Sequence, residues 1–183
     1  MPGMTEAAPK LRLIAPTARL EASHVSFFEE FQARDEQLVP WIVAEPYERF
    51  GDYVAMLEAA SEGIGIPADF VPHSTFWLVD ARDEIVAISN LRHRLNDFLL
   101  TYGGHIGYGV RPSARRKGYA TELLRRTLVE ARMRGIDRVR LTCSKSNAAS
   151  AKTILRNGGV LDDEAYMPEH GEVVCRYWIA LAT

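Results

Sequence analysis

The sequence predicts an α/β (α+β) fold in which helices flank a mixed, mainly antiparallel central sheet. Apolar residues follow a helical period up to about residue 60 and change to the two-residue period of strands from Thr75 onward. Beyond residue 110, strand-like and helix-like segments alternate, which is typical of α/β proteins. The 183 residues, of which 47% are hydrophobic and 25% charged, suit one soluble domain of ordinary size.

The N-terminal third is expected to hold one short strand and two helices. Residues 11–14 are apolar and extended in character, and Pro16 ends them. A first helix is predicted over 17–34 and a second over 47–60, each with apolar side chains recurring on one face. The glycines and prolines between residues 63 and 72 then indicate a loop.

The remainder of the chain predicts the sheet and its covering helices. Strands are expected at 75–79 and 84–91, joined by a turn, and at 104–110, where Pro112 ends the third strand. The later elements are, in order, a helix over 119–134, a strand over 139–143, a short helix from Asn147 to the glycine pair at 158–159, and a strand over 173–181.

Charge and hydropathy exclude several classes of protein. The formal net charge is −2, which argues against nucleic-acid binding through a basic surface, including an RNA-binding role for the basic run at 92–94. The first ten residues lack the apolar core of a signal peptide, and no apolar run approaches the length of a membrane span. We therefore expect a cytoplasmic protein with no membrane partner. The sequence leaves a homodimer open.

A short basic loop joins the third predicted strand to the clearest helix. The first N–H groups of a helix lack internal acceptors and carry the positive end of its dipole, so they bind anions. Gly118 allows the backbone to approach a phosphate closely, and Ala120 places only a small side chain at the next position of the motif. Arg115, Arg116 and Lys117 add positive charge that a pyrophosphate would attract. The alternative is an ordinary connection whose basic side chains are merely solvated.

Two motifs resemble those of the GNAT superfamily of N-acetyltransferases. Arg115-x-x-Gly118-x-Ala120 is similar to the family's (Gln/Arg)-x-x-Gly-x-(Gly/Ala) pyrophosphate loop. Asn147-Ala148-Ala149-Ser150 resembles the Asn-x-x-Ser helix start that lies against the pantetheine arm in that family. The resemblance covers residue 75 to the C-terminus well and the N-terminal third by element order only. Strings such as Thr75-Phe76-Trp77-Leu78-Val79-Asp80 are similar to bacterial GNAT proteins known only as predicted acetyltransferases.

The resemblance implies a GNAT fold in one domain over 1–183, with the N-terminal strand and acceptor-side helices in 1–73 and the acetyl-CoA-binding core in 74–183. It implies acetyl-CoA as cosubstrate, no metal, and direct transfer of acetyl to a primary amine of a small molecule or peptide. The alternatives are an enzyme that uses another acyl-CoA and a non-catalytic CoA-binding sensor.

The resemblance also implies roles for particular residues. Backbone groups of Tyr108 and Val110 would pair with the pantetheine amides, and an N–H there would polarise the thioester carbonyl, which makes Tyr108 a catalytic candidate. The remaining implied cofactor contacts are the loop Arg115-Arg116-Lys117-Gly118-Tyr119-Ala120 and the helix start with Asn147 and Ser150.

The sequence departs from the family at the two positions that handle protons. Family members often carry a tyrosine, the proton donor to the thiolate, seven residues after Asn147, where this chain has Ile154. Many also carry a glutamate on the strand before the loop, where the nearest ionisable residue here is His105. His105 is therefore the candidate general base, since a histidine titrates near neutrality, and a histidine hydrogen-bonded within the sheet is the alternative.

Two further groups of residues have competing interpretations. The basic run Arg92-His93-Arg94 is interpreted either as a cluster that steers an acidic group of the substrate or as a solvated strand end. Trp41, Trp77 and Trp178 are candidates for an acceptor pocket, although tryptophans more often belong to the core.

Overall fold

A computed structural model describes residues 10–181 and contains two antiparallel sheets flanked by helices, which confirms the predicted fold class. The first sheet has the order β1-β2-β3-β4, and the second has the order β5-β7-β6. The strands are β1 (Arg12–Ile14), β2 (His73–Val79), β3 (Ile85–Arg92), β4 (Ile106–Val110), β5 (Arg138–Ser144), β6 (Val160–Met167) and β7 (Glu172–Ala180). The α-helices are α1 (Glu21–Gln32), α2 (Phe50–Ser61), α3 (Asp97–Thr101), α4 (Tyr119–Met133) and α5 (Ala148–Arg156).

The two sheets meet where β4 and β5 begin to run side by side. The N–H of His105 donates to the Arg140 carbonyl at 2.7 Å, and the N–H of Gly103 donates to Thr142 Oγ1 at 3.0 Å. Gly104 has φ +63°, and a Cβ there would lie 2.5 Å from the Arg140 carbonyl oxygen, so only glycine permits this approach. Beyond this junction no backbone hydrogen bond joins β4 to β5 within residues 10–181, and the strands separate.

Helices cover the first sheet on opposite faces. Helices α1 and α2 pack against Trp77 and Ile88 in one apolar cluster. On the other face α4 packs against Leu91, and the hydroxyl groups of Ser89 and Thr127 are 2.8 Å apart. Burial of these apolar side chains stabilises the sheet by roughly 1.5–3 kcal/mol for each large residue.

Two elements were not predicted from the sequence. Strand β6 carries mostly exposed side chains and an acidic run, so it lacks the apolar alternation that identifies a strand. Backbone pairing with β7 places it at the edge of the sheet, and charge pairs add to this: Asp162 contacts Arg140 of β5 at 2.8 Å, and Asp163 contacts Arg176 of β7 at 3.2 Å. The short helix α3 begins at an Asn96 cap, whose side chain accepts from the Leu99 N–H at 2.9 Å.

Buried neutral histidines predict that the fold loses stability in mild acid. Burial lowers the pKa of His24, His73 and His105 to about 4, below the value of 6.5 for the unfolded chain. The unfolded state therefore binds more protons between pH 6.5 and 4, and stability present above pH 6.5 is lost as the pH falls through this window. We expect the free energy of unfolding in urea to fall by about 2 kcal/mol or more from pH 7 to pH 5.

A His24→Phe variant provides the control for this prediction. Phenylalanine suits the aromatic surroundings of His24, whose ring centroid lies 5.2 Å from that of Phe50 and 4.9 Å from that of Tyr53. With one titrating group fewer, the variant should lose less stability over the same interval. Equal stability of the wild-type protein at pH 7 and pH 5 would contradict the prediction.

Candidate functional site

A cleft of about 980 Å³ opens where β4 and β5 separate. One wall is β4, and the other is formed by the end of β5 and by α5. The carbonyl of His105 and the N–H of Arg111 bond to β3, at 2.7 and 2.9 Å. Because antiparallel pairing uses alternate residues, the backbone groups of Tyr108 and Val110 face the open edge and the cleft. These are the two residues predicted to present main-chain groups to a ligand.

The far end of the cleft is the N-terminus of α4, as the sequence predicted. Gly118 caps this helix in a left-handed conformation with φ +83°, and no side chain caps it. A Cβ at Gly118 would meet nothing within 4 Å, so there is open space beside the start of the helix. Tyr119 and Ala120 also line the cleft here. Backbone N–H donors and the positive end of the helix dipole make this end of the cleft suited to an anion.

The basic residues of the loop differ in their placement. Arg116 lines the cleft and is exposed. Arg115 also lines it, but its guanidinium pairs with Glu36 and lies over the Phe31 ring, 5.4 Å from the centroid. Arg115 thus ties the loop to the chain segment that follows α1. Lys117 is exposed and does not line the cleft, so this geometry gives no support to its predicted contact with a pyrophosphate.

Helix α5 adds basic side chains that the sequence analysis missed. Lys152 and Arg156 line the same cleft. They are four residues apart, a spacing that places them on one face of a helix. This spacing is visible in the sequence, but only the fold turns that face toward the N-terminus of α4.

Asn147, Ser150 and Tyr108 form a connected group across the cleft. Asn147 Oδ1 accepts from the Ser150 N–H at 3.0 Å and so caps α5. The Tyr108 hydroxyl lies 2.9 Å from Ser150 Oγ, which links β4 to α5. Burial raises the pKa of Tyr108 to about 12, so the phenol is protonated near neutral pH. Ile154, which stands where the family often has tyrosine, is fully buried in the core.

His105 lies outside the residues that line the cleft. It is 6% exposed, and its Nδ1 accepts from the Arg140 N–H at 2.9 Å, so the imidazole joins the two sheets. Burial lowers the pKa of His105 to about 4, with a further contribution from the charge of Arg92. The geometry therefore favours the structural alternative for His105 over the predicted role of general base, because the ring nitrogen that would accept a proton is already occupied.

Glu172 is an ionisable cleft residue that sequence reasoning missed. It lies at the start of β7, one residue before the predicted strand, and makes no ion pair within the described part of the chain. Burial, followed by the charge of Glu172, raises the pKa of Tyr102. Burial raises the pKa of Cys143 to about 11, and Glu172 contributes weakly. Glu172 therefore stands beside both groups as a carboxylate open to the cleft.

A second cavity, of about 880 Å³, adjoins the first. Trp41, Arg92, Tyr102 and Gly103 line both cavities. The Trp41 ring packs edge-on against His73, with centroids 5.9 Å apart. Of the three tryptophans considered above, Trp41 alone lines a cavity, since Trp77 is buried in the core and Trp178 lies in the second sheet beside Arg138 and Arg140.

The chain segment 36–41, which follows α1, crosses over part of β4. A Cβ at Gly109 would collide with the carbonyl oxygen of Val39, so the chain at residues 36–41 crosses directly above the strand. Leu38, Val39 and Pro40 accordingly line the cleft. Glycine at position 109 is required for this close approach.

Comparisons with known proteins agree with this geometry. Residues 27–158 match the model of the acetyltransferase (GNAT) family. Two structures superpose over most of both chains. One is a dodecameric spermidine N-acetyltransferase from Vibrio cholerae (15% identity, TM-score 0.60, 93% of each chain). The other is an acetyltransferase from Salmonella typhimurium that modifies the N-terminal serine of ribosomal protein L7/L12 (15%, TM-score 0.66, 94% of this chain and 95% of that one).

A third similar structure is the GNAT domain of S. lividans PAT, with 19% identity and a TM-score of 0.59. The superposition covers 93% of this chain and 90% of that one. No curated protein sequence matches the chain. At these identities the structural likeness shows the fold alone, whereas the family match spans well over half of the sequence.

Membrane-spanning helices and metal-binding clusters are both absent from residues 10–181. Within residues 10–181, no helix is both long enough and apolar enough to cross a membrane. The same residues contain no group of three or more histidine, cysteine, aspartate or glutamate side chains arranged to hold a metal ion.

Proposed function

The chain belongs to the acetyltransferase (GNAT) family, and on this premise we propose that it transfers acetyl from acetyl-CoA directly to a primary amine of a small molecule or peptide. The observation that carries the proposal is the cleft between β4 and β5, which ends at the uncapped N-terminus of α4. It combines an extended strand edge, an anion site and an adjoining cavity, as a long cofactor and a second substrate require.

The residues of the cleft fit acetyl-CoA. The N–H groups after Gly118, together with Arg116, Lys152 and Arg156, would hold the pyrophosphate. The free backbone groups of Tyr108 and Val110 would pair with the pantetheine amides, and Asn147 and Ser150 would lie along the same arm. When bound, the cofactor supplies an acetyl thioester, and a backbone N–H of β4 would stabilise negative charge on its carbonyl oxygen.

The protonation state of Cys143, the only cysteine that lines the cleft, supports direct transfer. Cys143 lines it, but burial raises the pKa of this thiol to about 11. A thiol that remains protonated is a poor nucleophile, so an acyl-cysteine intermediate is disfavoured. Holding the amine and the thioester in adjoining cavities supplies much of the rate instead.

We assign the Tyr108 hydroxyl as the proton donor to the departing thiolate. It reaches the cleft from β4, and its contact with Ser150 places it against α5, the helix from which the family's tyrosine usually acts. The raised pKa keeps it protonated at neutral pH. A tyrosine from the opposite wall would therefore replace the hydroxyl that is absent at Ile154.

Tyr108→Phe should lower kcat about tenfold at pH 7 and by less at pH 9, where the thiolate needs no donor. This loss in kcat is smaller than the 10²–10⁴-fold factor usual for general acid catalysis, because a thiol of pKa about 8.5 is a good leaving group. Ser150→Ala, which keeps the phenol and removes its partner, is the control and should retain most of the rate. A Tyr108→Phe enzyme with wild-type kcat at pH 7 would exclude this role.

The decisive test of the proposed function is an acceptor screen with detection of free thiol. Purified protein is incubated with acetyl-CoA and a panel of amines, and amine-dependent thiol release supports acetyl transfer. Release with a longer acyl-CoA instead of acetyl-CoA would support the alternative acyltransferase. Tight CoA binding without release from any acyl-CoA would support a non-catalytic sensor.

The proposal extends to the organisation of the chain. Residues 1–73 would form the acceptor side of one domain and 74–183 the cofactor core, which agrees with the position of residues 36–41 above β4. A cytoplasmic location and a homodimer remain predictions. The similar spermidine acetyltransferase is dodecameric, so size-exclusion chromatography with light scattering is the appropriate measurement.

A further inference from the structure

We propose that the acceptor is an amine that also carries a carboxylate, and that Arg92 binds this carboxylate in the second cavity. This inference rests on the proposed function, because it concerns the second substrate of the same site. The apolar part of the acceptor would pack against Trp41 and Phe70, which meet edge-on with ring centroids 5.4 Å apart.

Arg92 lies at the junction of the two cavities and has no counterion among the described residues. Its guanidinium lies over Gly107, where a Cβ would be 3.3 Å from both Nη1 and Nη2. Nη1 donates to the Gly103 carbonyl at 3.3 Å, and no carboxylate of residues 10–181 forms an ion pair with Arg92. Burial lowers the pKa of this guanidinium to about 10. A desolvated charge is costly unless it is paired, and the planar fork of arginine matches a carboxylate.

The floor of the second cavity offers further polar groups. Asn90 is fully buried, and its Nδ2 donates to His73 Nδ1 at 2.9 Å and to Thr75 Oγ1 at 3.2 Å. The neutral His73 ring therefore carries its hydrogen on Nε2 and is a donor. Asn90 Oδ1 has no hydrogen-bond partner among the described residues, so a buried acceptor remains unsatisfied beside this cavity.

The distribution of charge suits a substrate with two opposite charges. Glu172 lines the first cavity beside Tyr102, and Tyr102 is shared with the second cavity, where Arg92 lies. An acceptor that spans the junction would place its amine toward Glu172 and its carboxylate toward Arg92. The other charged residues lining the second cavity are Arg94, Asp69 and Asp97, all exposed. A polycation would be attracted by Asp69 and Asp97 but repelled by Arg92 at the junction of the cavities.

The test compares matched acids and amides as acceptors with acetyl-CoA. The probes are unbranched ω-amino acids of two to six carbons, their primary amides, L-phenylalanine, phenethylamine and spermidine. We expect the best acid to exceed its amide about tenfold or more in kcat/KM, since a hydrogen bond to a charged group contributes at least that factor. Arg92→Gln should remove this preference mainly through KM, whereas Arg94→Gln, on the exposed rim, should keep most of it.

A binding measurement separates this inference from the proposed function. Thermal shift and NMR titration with 6-acetamidohexanoate and its amide, without CoA, should detect acid-selective binding that Arg92→Gln abolishes. If that binding is observed but no amine releases thiol, acetyl transfer fails and the carboxylate site stands. If Arg92→Gln does not fold, Arg92→Lys is the second variant. It keeps the positive charge but not the planar guanidinium that can bind both carboxylate oxygens, so it should lose part of the selectivity.

Two outcomes would overturn the carboxylate site. One is a wild-type preference for the amides, phenethylamine or spermidine over the matched acids. The other is undiminished acid selectivity in a folded Arg92→Gln or Arg92→Lys protein.

Discussion

Glu172→Gln should lower kcat about 10²-fold or more and remove the acidic limb of the pH–rate profile. An alkylammonium has a pKa of about 10.4, so the amine must lose a proton before or during attack. Glu172 is a cleft carboxylate free of ion pairs in the described residues, whereas Glu36 in the same cleft pairs with Arg115. Glutamine keeps the size of the side chain and cannot accept the proton, so the main loss should be in kcat, with a smaller rise in KM because the amine of the acceptor lies toward Glu172.

His105→Asn provides the comparison for this prediction. The asparagine Oδ1 can accept from the Arg140 N–H in place of Nδ1. We expect the acidic limb to persist and the midpoint of thermal unfolding to fall, because the histidine joins the two sheets. If the limb persists in Glu172→Gln and disappears in His105→Asn, the histidine is the base after all, acting through a rearranged sheet junction.

The strand, loop and helix of the proposed cofactor site were largely predictable because their signals are local. The strand, the loop with Gly118 and the following helix are contiguous, and their chemistry depends on the helix N-terminus that they form. Asn147 and Ser150 were predicted from the resemblance to the family's Asn-x-x-Ser helix start, and Asn147 does cap the helix that it opens. Local signals also explain why the paired strands and covering helices agree with the apolar periodicity.

The proposed acceptor half was only partly predictable, because its residues converge only in the fold. Trp41 and the basic run at 92–94 were candidates with competing interpretations, and Glu172 was missed. Trp41, Arg92 and Glu172 lie on three separate segments and meet around Tyr102. His105 shows the reverse case, because it lies next to the predicted strand while its side chain points into the sheet junction. The alternation of residues along a strand predicts which face of the sheet a side chain lies on. It does not predict which strands will separate to form a cavity.

Gly118→Ala should weaken CoA binding about tenfold or more, and Gly135→Ala should leave it unchanged. Both glycines flank α4 with left-handed backbones, at φ +83° and +75°, and a Cβ would meet nothing within 4 Å at either. Each alanine should therefore cost a similar 1–2 kcal/mol of stability, roughly, from the same backbone strain. The two variants differ in position, because only Gly118 lies in the cleft, beside the open N–H groups.

The measurement is isothermal titration calorimetry with CoA on both folded variants, alongside urea unfolding. A Cβ at position 118 occupies the space through which a phosphate would reach the helix N-terminus, so affinity should fall more than stability does. Gly118→Val, whose branched side chain is larger, should bind more weakly still. Equal CoA affinity in Gly118→Ala and Gly135→Ala would place the pyrophosphate elsewhere, and the basic face of α5 with Lys152 and Arg156 would become the site to examine by substitution.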